Sequence, residues 1–172
     1  MLHVVLFEPE IPQNTGNIAR TCAATNTALD LVHPLGFDIS DKAVKHAGLD
    51  YWKDVKITEY KSIADFLSKH ENDKLFFYST KARFTYNKIT YPQGEDCYII
   101  FGKESKGIPE EVLLAHPETT VRLPMVGDTR SLNLSNSVAI GVYEYYRQNE
   151  FKAFTQLGEL HNHSWEEATW KK

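Results

Sequence analysis

The chain has 172 residues, the length of one compact domain with a hydrophobic core of its own. Its formal net charge of −4 argues against a protein coated in positive charge, so nucleic acid could be bound only through a local basic patch. The two cysteines, Cys22 and Cys97, lie far apart with no CxxC pair, which argues against a disulfide framework and against a zinc knuckle.

The chain carries no sign of a membrane or export segment. No run approaches the roughly 20 apolar residues of a membrane span. The first residues, MLHVVLFEPEIPQ, lack the basic start and the long apolar run of an export signal. We therefore expect a soluble protein of a reducing compartment, the cytoplasm, with no membrane partner.

Six segments have patterns typical of β-strands. Leu2–Phe7 is rich in β-branched residues, and the runs 75–79 and 97–101 are continuously apolar, as in strands that are covered on both faces. In chain order, strands are predicted at residues 2–7, 29–33, 55–60, 75–79, 97–101 and 121–123.

Helical periodicity fills the intervals and predicts helices at residues 17–26, 41–48, 63–70 and 134–148. Ser62 is the expected N-cap of the third helix, and Ala139 and Gly141 keep the last one slim enough for another backbone to approach. Strands that alternate with helices predict an α/β protein with a mainly parallel sheet and helices on both faces. The domain is expected to span residues 1–151, because periodicity fades in the tail 152–172.

Three loops at the carboxyl ends of predicted strands carry unusual polar residues. They are EPEIPQNTGNIAR at 8–20, FGKESKGIPEE at 101–111, and the loop 127–131 within LPMVGDTRSLNLSNSVAIGVYEYYRQ. Parallel α/β sheets bind ligands where such loops emerge. The sequence therefore predicts a ligand site at this edge of the sheet.

Familiar catalytic motifs do not account for these loops. The sequence has no GxxxxGK[ST], GxGxxG, HExxH or GxSxG pattern, which removes the main support for a P-loop enzyme, a dinucleotide enzyme, a zinc protease or a serine hydrolase. His161 and His163 could share a metal, but histidines in a tail are more often solvated surface, so no metal is expected.

Together the three segments resemble, in order, the motifs of the SPOUT class of RNA methyltransferases. Within that class the chain is most similar to the small bacterial tRNA 2′-O-methyltransferases that modify the wobble nucleotide, from Met1 to about Phe151. The resemblance implies a homodimer with a deep trefoil knot in the C-terminal third of each chain. It also implies that this knot binds S-adenosylmethionine, with S-adenosylhomocysteine as the product.

The resemblance assigns the cofactor contacts to backbone groups. By alignment these fall at Tyr78, Gly102, Leu123, Ser131 and Leu132. Gly102 would let the backbone come near a flat ring, and backbone N–H and C=O groups can read the edge of adenine. For Tyr78 and Leu123 a plain role as core residues at strand ends stays open.

Catalysis is expected to centre on Arg20, which matches the arginine of the first family motif. Because a guanidinium keeps its proton, a role in stabilising alkoxide charge or fixing a phosphate is preferred over that of a general base, although both stay open. Asn17 could orient the ribose or cap a helix, and Glu104 could hold a loop, hold Arg20 or be solvated. Asn133 is expected to tie the third loop together.

The implied function is methyl transfer to the wobble ribose of leucine tRNAs, at cytidine or 5-carboxymethylaminomethyluridine. Two alternatives stay open: a 2′-O-methyltransferase for another RNA such as ribosomal RNA, and a non-catalytic knotted dimer that binds RNA. No DNA partner is expected. Two local basic groups offer weak direct support for RNA binding. They are Lys42, Lys45, His46 and Lys53, and Lys81, Arg83 and Lys88.

Overall fold

A computed structural model describes residues 1–39, 49–127 and 130–168, and within these ranges it shows one seven-stranded parallel sheet. Its strands are β1 (Leu2–Phe7), β2 (Ala28–Val32), β3 (Ile57–Tyr60), β4 (Lys74–Tyr78), β5 (Phe84–Thr85), β6 (Cys97–Phe101) and β7 (Thr120–Arg122). The strand order is β3-β2-β1-β6-β4-β7-β5, and the pairings between these strands are parallel. The predicted parallel α/β architecture is confirmed.

Four helices accompany these strands within the described ranges: α1 (Pro12–Thr25), α2 (Ile63–Lys69), α3 (Glu110–Ala115) and α4 (Leu134–Gln148). A 3₁₀ turn at Leu49–Asp54 packs against α1, and two more occur at Tyr86–Lys88 and Trp165–Glu167. Ser62 caps α2 as predicted, because its hydroxyl accepts a hydrogen bond from the Asp65 N–H at 3.1 Å.

The sheet is buried on both faces, and each face has its own hydrophobic core. Side chains of successive strand residues point to opposite faces, so Val4 packs in one core and Val5 in the other. The first core includes Ile18 of α1 and Val138 of α4, and the second includes Phe66 of α2. All six residues of β1 are buried, which explains why its sequence does not alternate.

Several boundaries differ from the prediction. Helix α1 begins at Pro12 rather than residue 17, while β5 and α3 are too short to produce a periodic signal. The predicted helix 41–48 lies outside the described residues. The predicted knot is not tested either, because residues 128–129 of its third loop also lie outside them.

The start of the tail packs against α4. Phe154 packs against Tyr146 with ring centroids 4.7 Å apart, whereas the Trp165 side chain is 56% exposed. Among the described residues, no helix is long and apolar enough to cross a membrane.

Candidate functional site

A cavity of about 570 Å³ opens at the carboxyl ends of β4, β6 and β7. These strands are adjacent in the sheet, so the loops that follow them meet at one edge. All five residues predicted to contact a cofactor line the cavity: Tyr78, Gly102, Leu123, Ser131 and Leu132. The structure therefore brings these residues together, and their contact with a cofactor stays a prediction.

The loop after β6 folds back on itself at its two glycines. The Gly107 N–H donates to the Lys103 carbonyl at 2.8 Å, and Gly107 has a φ of +69°. A Cβ on Gly102 would lie only 2.0 Å from the Gly107 carbonyl carbon and 2.2 Å from the Ile108 nitrogen. Gly102 is thus required by the loop's own backbone, which is a different reason from the expected approach of a flat ring.

Glu104 belongs to that loop and also lines the cavity. Its carboxylate accepts hydrogen bonds from the Glu10 N–H at 2.8 Å, the Ile11 N–H at 3.2 Å and the Asn14 side-chain amide at 3.0 Å. Ile11, the N-cap residue of α1, has no polar side chain, and Glu104 instead binds the backbone N–H groups at and just before the start of the helix. Of the roles left open for Glu104, the structure supports the first, that of holding the loop.

Asn133 joins the third loop to the first. Its side-chain amide donates to the Asn14 Oδ1 at 3.0 Å, while its own Oδ1 accepts from the Ser135 N–H at 2.9 Å and caps α4. A continuous path of hydrogen bonds thus runs from Glu104 through Asn14 to Asn133. Asn133 therefore ties the end of the third loop to the first loop and to the start of α4. Asn14 was not predicted, because the sequence prediction begins this helix only at residue 17.

Further polar contacts hold the first and second loops together. Lys103 forms an ion pair with Glu8, and the Glu10 carboxylate accepts from the Ser105 N–H and hydroxyl, both at 2.9 Å. The Ser105 hydrogen bonds lower the pKa of Glu10, and the Glu8 carboxylate raises the pKa of Lys103. Two carboxylates of the first loop are therefore bound to the second loop, which gives the cavity a fixed wall.

Basic side chains stand at the cavity, where Lys81, Lys106 and Arg130 line it together with Lys103. Lys81 is also paired with the exposed Glu110 at 2.7 Å. This basic lining is local, as the negative net charge of the chain requires.

The Tyr78 side chain is held by two other aromatic side chains. The ring stacks on Phe101 with centroids 4.7 Å apart, and the hydroxyl shares a short hydrogen bond with the Tyr91 hydroxyl. Burial holds the pKa of Tyr78 well above its usual value. Gly141 of α4 makes room for this ring, since a Cβ there would lie 3.1 Å from Tyr78 Cζ. The expectation that Gly141 admits another backbone is therefore wrong, because the space that it leaves is filled by side chains.

Asn17 and Arg20 lie outside this cavity, on the exposed face of α1. Asn17 is inside the helix, so the interpretation of Asn17 as a helix cap is wrong. Arg20 places its guanidinium carbon 5.1 Å from the centroid of the Tyr51 ring. A single chain thus gathers the predicted cofactor contacts and Glu104 but not the other two predicted catalytic residues.

The described histidines of the tail lie in an exposed segment. His163 pairs with Glu167 at 3.2 Å, and no group of three or more metal-ligating side chains is found among the described residues.

Residues 1–143 of this sequence match the SpoU rRNA Methylase family. The chain belongs to this family. The match includes all of the cavity's lining loops and the first ten residues of α4. The expected SPOUT class and its parallel α/β fold are therefore confirmed.

Relatives and solved structures give the same assignment. The chain is 44% identical over 149 residues to the tRNA (cytidine(34)-2′-O)-methyltransferase of Escherichia coli K12. The aligned region covers 86% of this chain and 94% of the relative. A solved structure that concerns the 2-OH methylation of C/U34 on tRNA is 44% identical to this chain and superposes with a TM-score of 0.82. The match covers 88% of this chain and 98% of that structure's chain. An AdoMet-bound rRNA methyltransferase from Sinorhizobium meliloti shares the fold, with 23% identity and a TM-score of 0.76. The match covers 85% of this chain and 56% of that protein's chain.

Proposed function

We propose that the protein transfers a methyl group from S-adenosylmethionine to the ribose 2′-hydroxyl of the wobble nucleotide of leucine tRNAs in the cytoplasm. The target base would be cytidine or 5-carboxymethylaminomethyluridine. The observation that carries the proposal is the cavity in which five residues at family cofactor positions meet. The name of the Escherichia coli relative supports the tRNA position.

The cavity suits S-adenosylmethionine in size and in chemistry. Its volume of about 570 Å³ falls in the range of small-molecule sites. The carboxyl ends of strands and the loop backbones at Gly102, Leu123 and Leu132 offer N–H and C=O groups that can hydrogen-bond to an adenine edge. When bound, the cofactor supplies an activated methyl group, and the lining loops would form the expected trefoil knot around it.

Arg20 would act on the RNA rather than on the cofactor. Methyl transfer is an in-line displacement in which the ribose hydroxyl must be positioned and must lose its proton. A guanidinium can stabilise the developing alkoxide or hold an adjacent phosphate with two hydrogen bonds. Its exposed position on α1 leaves it accessible to a macromolecular substrate.

Arg20 does not line the cavity of its own chain, but a homodimer would bring it to the cavity of the partner subunit. Ile140 and Tyr143 on α4 are 38% and 49% exposed, and α4 packs beside α1, so both helices present an outer face to a second copy. In the proposed dimer, Arg20 of one subunit faces the cavity of its partner.

Mixed dimers test this arrangement. Arg20→Ala removes the guanidinium, and Ser131→Trp fills the cavity from an exposed loop position. If the two variants are each inactive, a refolded equal mixture should regain about a quarter of the wild-type activity, because each mixed dimer has one intact shared site. An inactive mixture that does contain mixed dimers would place Arg20 and the cavity in the same subunit's site.

Cofactor binding and methyl transfer test the function itself. Calorimetry should show S-adenosylmethionine binding to the wild-type protein and not to Ser131→Trp, and total tRNA from a strain without its own wobble methylase should accept a labelled methyl group. Binding with label only in ribosomal RNA would favour the first alternative. RNA binding without cofactor binding would favour the non-catalytic dimer.

A further inference from the structure

Arg20 rests against an aromatic side chain from a separate segment. Tyr51 lies in the 3₁₀ turn Leu49–Asp54, which packs against α1, and its ring is 5.1 Å from the guanidinium carbon. The turn is anchored after Tyr51, because Trp52 packs against the first core and Val55 is buried. The Tyr51 side chain itself stays 37% exposed.

Among the described residues, Arg20 has no carboxylate partner. Within residues 1–39, 49–127 and 130–168, no carboxylate oxygen lies within 4.0 Å of the Arg20 guanidinium. A carboxylate partner would occupy N–H donors and offset the positive charge. An aromatic face attracts the cation while its in-plane N–H groups remain available for a ligand.

We infer that Tyr51 is a positioning residue that holds the Arg20 guanidinium ready for the RNA ribose or phosphate. This role rests on the proposed function, in which Arg20 touches the reacting group. It requires the ring of Tyr51 and not its hydroxyl, since the contact is made to the ring face. Tyr51 does not line the cofactor cavity, so its removal should leave cofactor affinity unchanged.

Turnover of two matched variants tests the role. Tyr51→Leu should lower kcat roughly two- to fivefold, the effect of an exposed cation–π contact, with the Kd of S-adenosylmethionine unchanged. Tyr51→Phe keeps the ring and should retain wild-type kcat. In an Arg20→Lys background, Tyr51→Leu should change kcat by a different factor than it does in the wild-type background, because a lysine ammonium and an arginine guanidinium contact an aromatic ring differently. Wild-type kcat in Tyr51→Leu would overturn the inference.

NMR of the arginine side chains tests the contact between Arg20 and Tyr51 without an activity assay. The chain has five arginines, so the side-chain Nε–H signals of a labelled sample form a sparse spectrum that Arg20→Lys assigns. The Arg20 side-chain protons should be shifted upfield by the ring in the wild-type protein and in Tyr51→Phe, and should lose that shift in Tyr51→Leu. Unshifted Arg20 protons in the wild-type protein would overturn the inference even if neither Tyr51 variant folds.

Two results distinguish a failure of the proposed methyl transfer from a failure of the positioning role of Tyr51. A wild-type protein that methylates no RNA overturns the proposed function and the positioning role with it, whatever the NMR shifts show. An active wild-type protein whose Tyr51→Leu variant is equally fast overturns the positioning role alone.

Discussion

Asn14 and Asn133 are 119 residues apart in the chain, and the side-chain amide of Asn133 donates a 3.0 Å hydrogen bond to Asn14 Oδ1. Asn14 is 6% exposed, and its own amide donates to Glu104. One buried side chain thus connects the loops after β1, β6 and β7. The wall of the cavity depends on this connection, because each loop contributes lining residues.

Asn14→Ala should therefore loosen the site as well as the fold. It leaves the Asn133 amide without this partner and removes one donor from Glu104, so the free energy of unfolding should fall by about 1–3 kcal/mol. Urea denaturation measures this, and the Kd of S-adenosylmethionine should rise in parallel. The neighbouring exposed Gln13→Ala is the control and should change neither quantity. Equal stability of the two variants would show that the connection contributes nothing.

Gly102→Ala should disrupt the loop after β6. The added Cβ would meet the Gly107 backbone at 2.0 Å, and backbone atoms cannot move aside as a flexible side chain can. We expect a loss of about 1–3 kcal/mol of stability or more, together with loss of cofactor binding. Gly158→Ala is the matched control, since a Cβ there has no neighbour within 4 Å. A Gly102→Ala protein that binds cofactor normally would contradict this loop geometry.

Stability at acid pH should depend on Glu144 of α4. Arg147 donates two hydrogen bonds to this buried carboxylate, at 2.7 and 2.8 Å, and these lower its pKa from the ordinary value of 4.5. A lowered pKa in the folded state adds stability above the unfolded pKa, which is lost as pH falls through the folded pKa. Glu144→Gln should therefore flatten the decline of unfolding free energy below pH 4.5. The exposed Glu150→Gln should leave that decline unchanged.

Much of this architecture is predictable from local patterns, since six of the seven described strands were predicted from apolar runs or from alternation. The two-residue β5 and the six-residue α3 are too short for periodicity to reveal. The true start of α1 was missed for another reason, because Ile11 has no capping side chain and its N–H group bonds instead to Glu104 in a distant loop. Long-range contacts of this kind, including Tyr51 beneath Arg20, leave no periodic signal in the sequence.

The chemistry of Arg20 should be specific to a guanidinium. Lysine keeps the positive charge but cannot form two parallel hydrogen bonds to one phosphate or alkoxide site. Arg20→Lys should therefore lower kcat about 10- to 100-fold, while cofactor affinity stays unchanged. Near-full activity of the lysine variant would contradict the bidentate role and favour a simple charge effect.

Transfer of labelled methyl from S-adenosylmethionine to a purified leucine tRNA tests the central claim most directly. Two matched substrates would be compared, one with a ribose and one with a 2′-deoxyribose at the wobble position, and nuclease mapping would locate the label. We predict label at the wobble ribose of the first substrate, none in the second, and none with Arg20→Ala. Equal labelling of both substrates, or label elsewhere in the tRNA, would contradict the assignment of the wobble 2′-hydroxyl as the methyl acceptor.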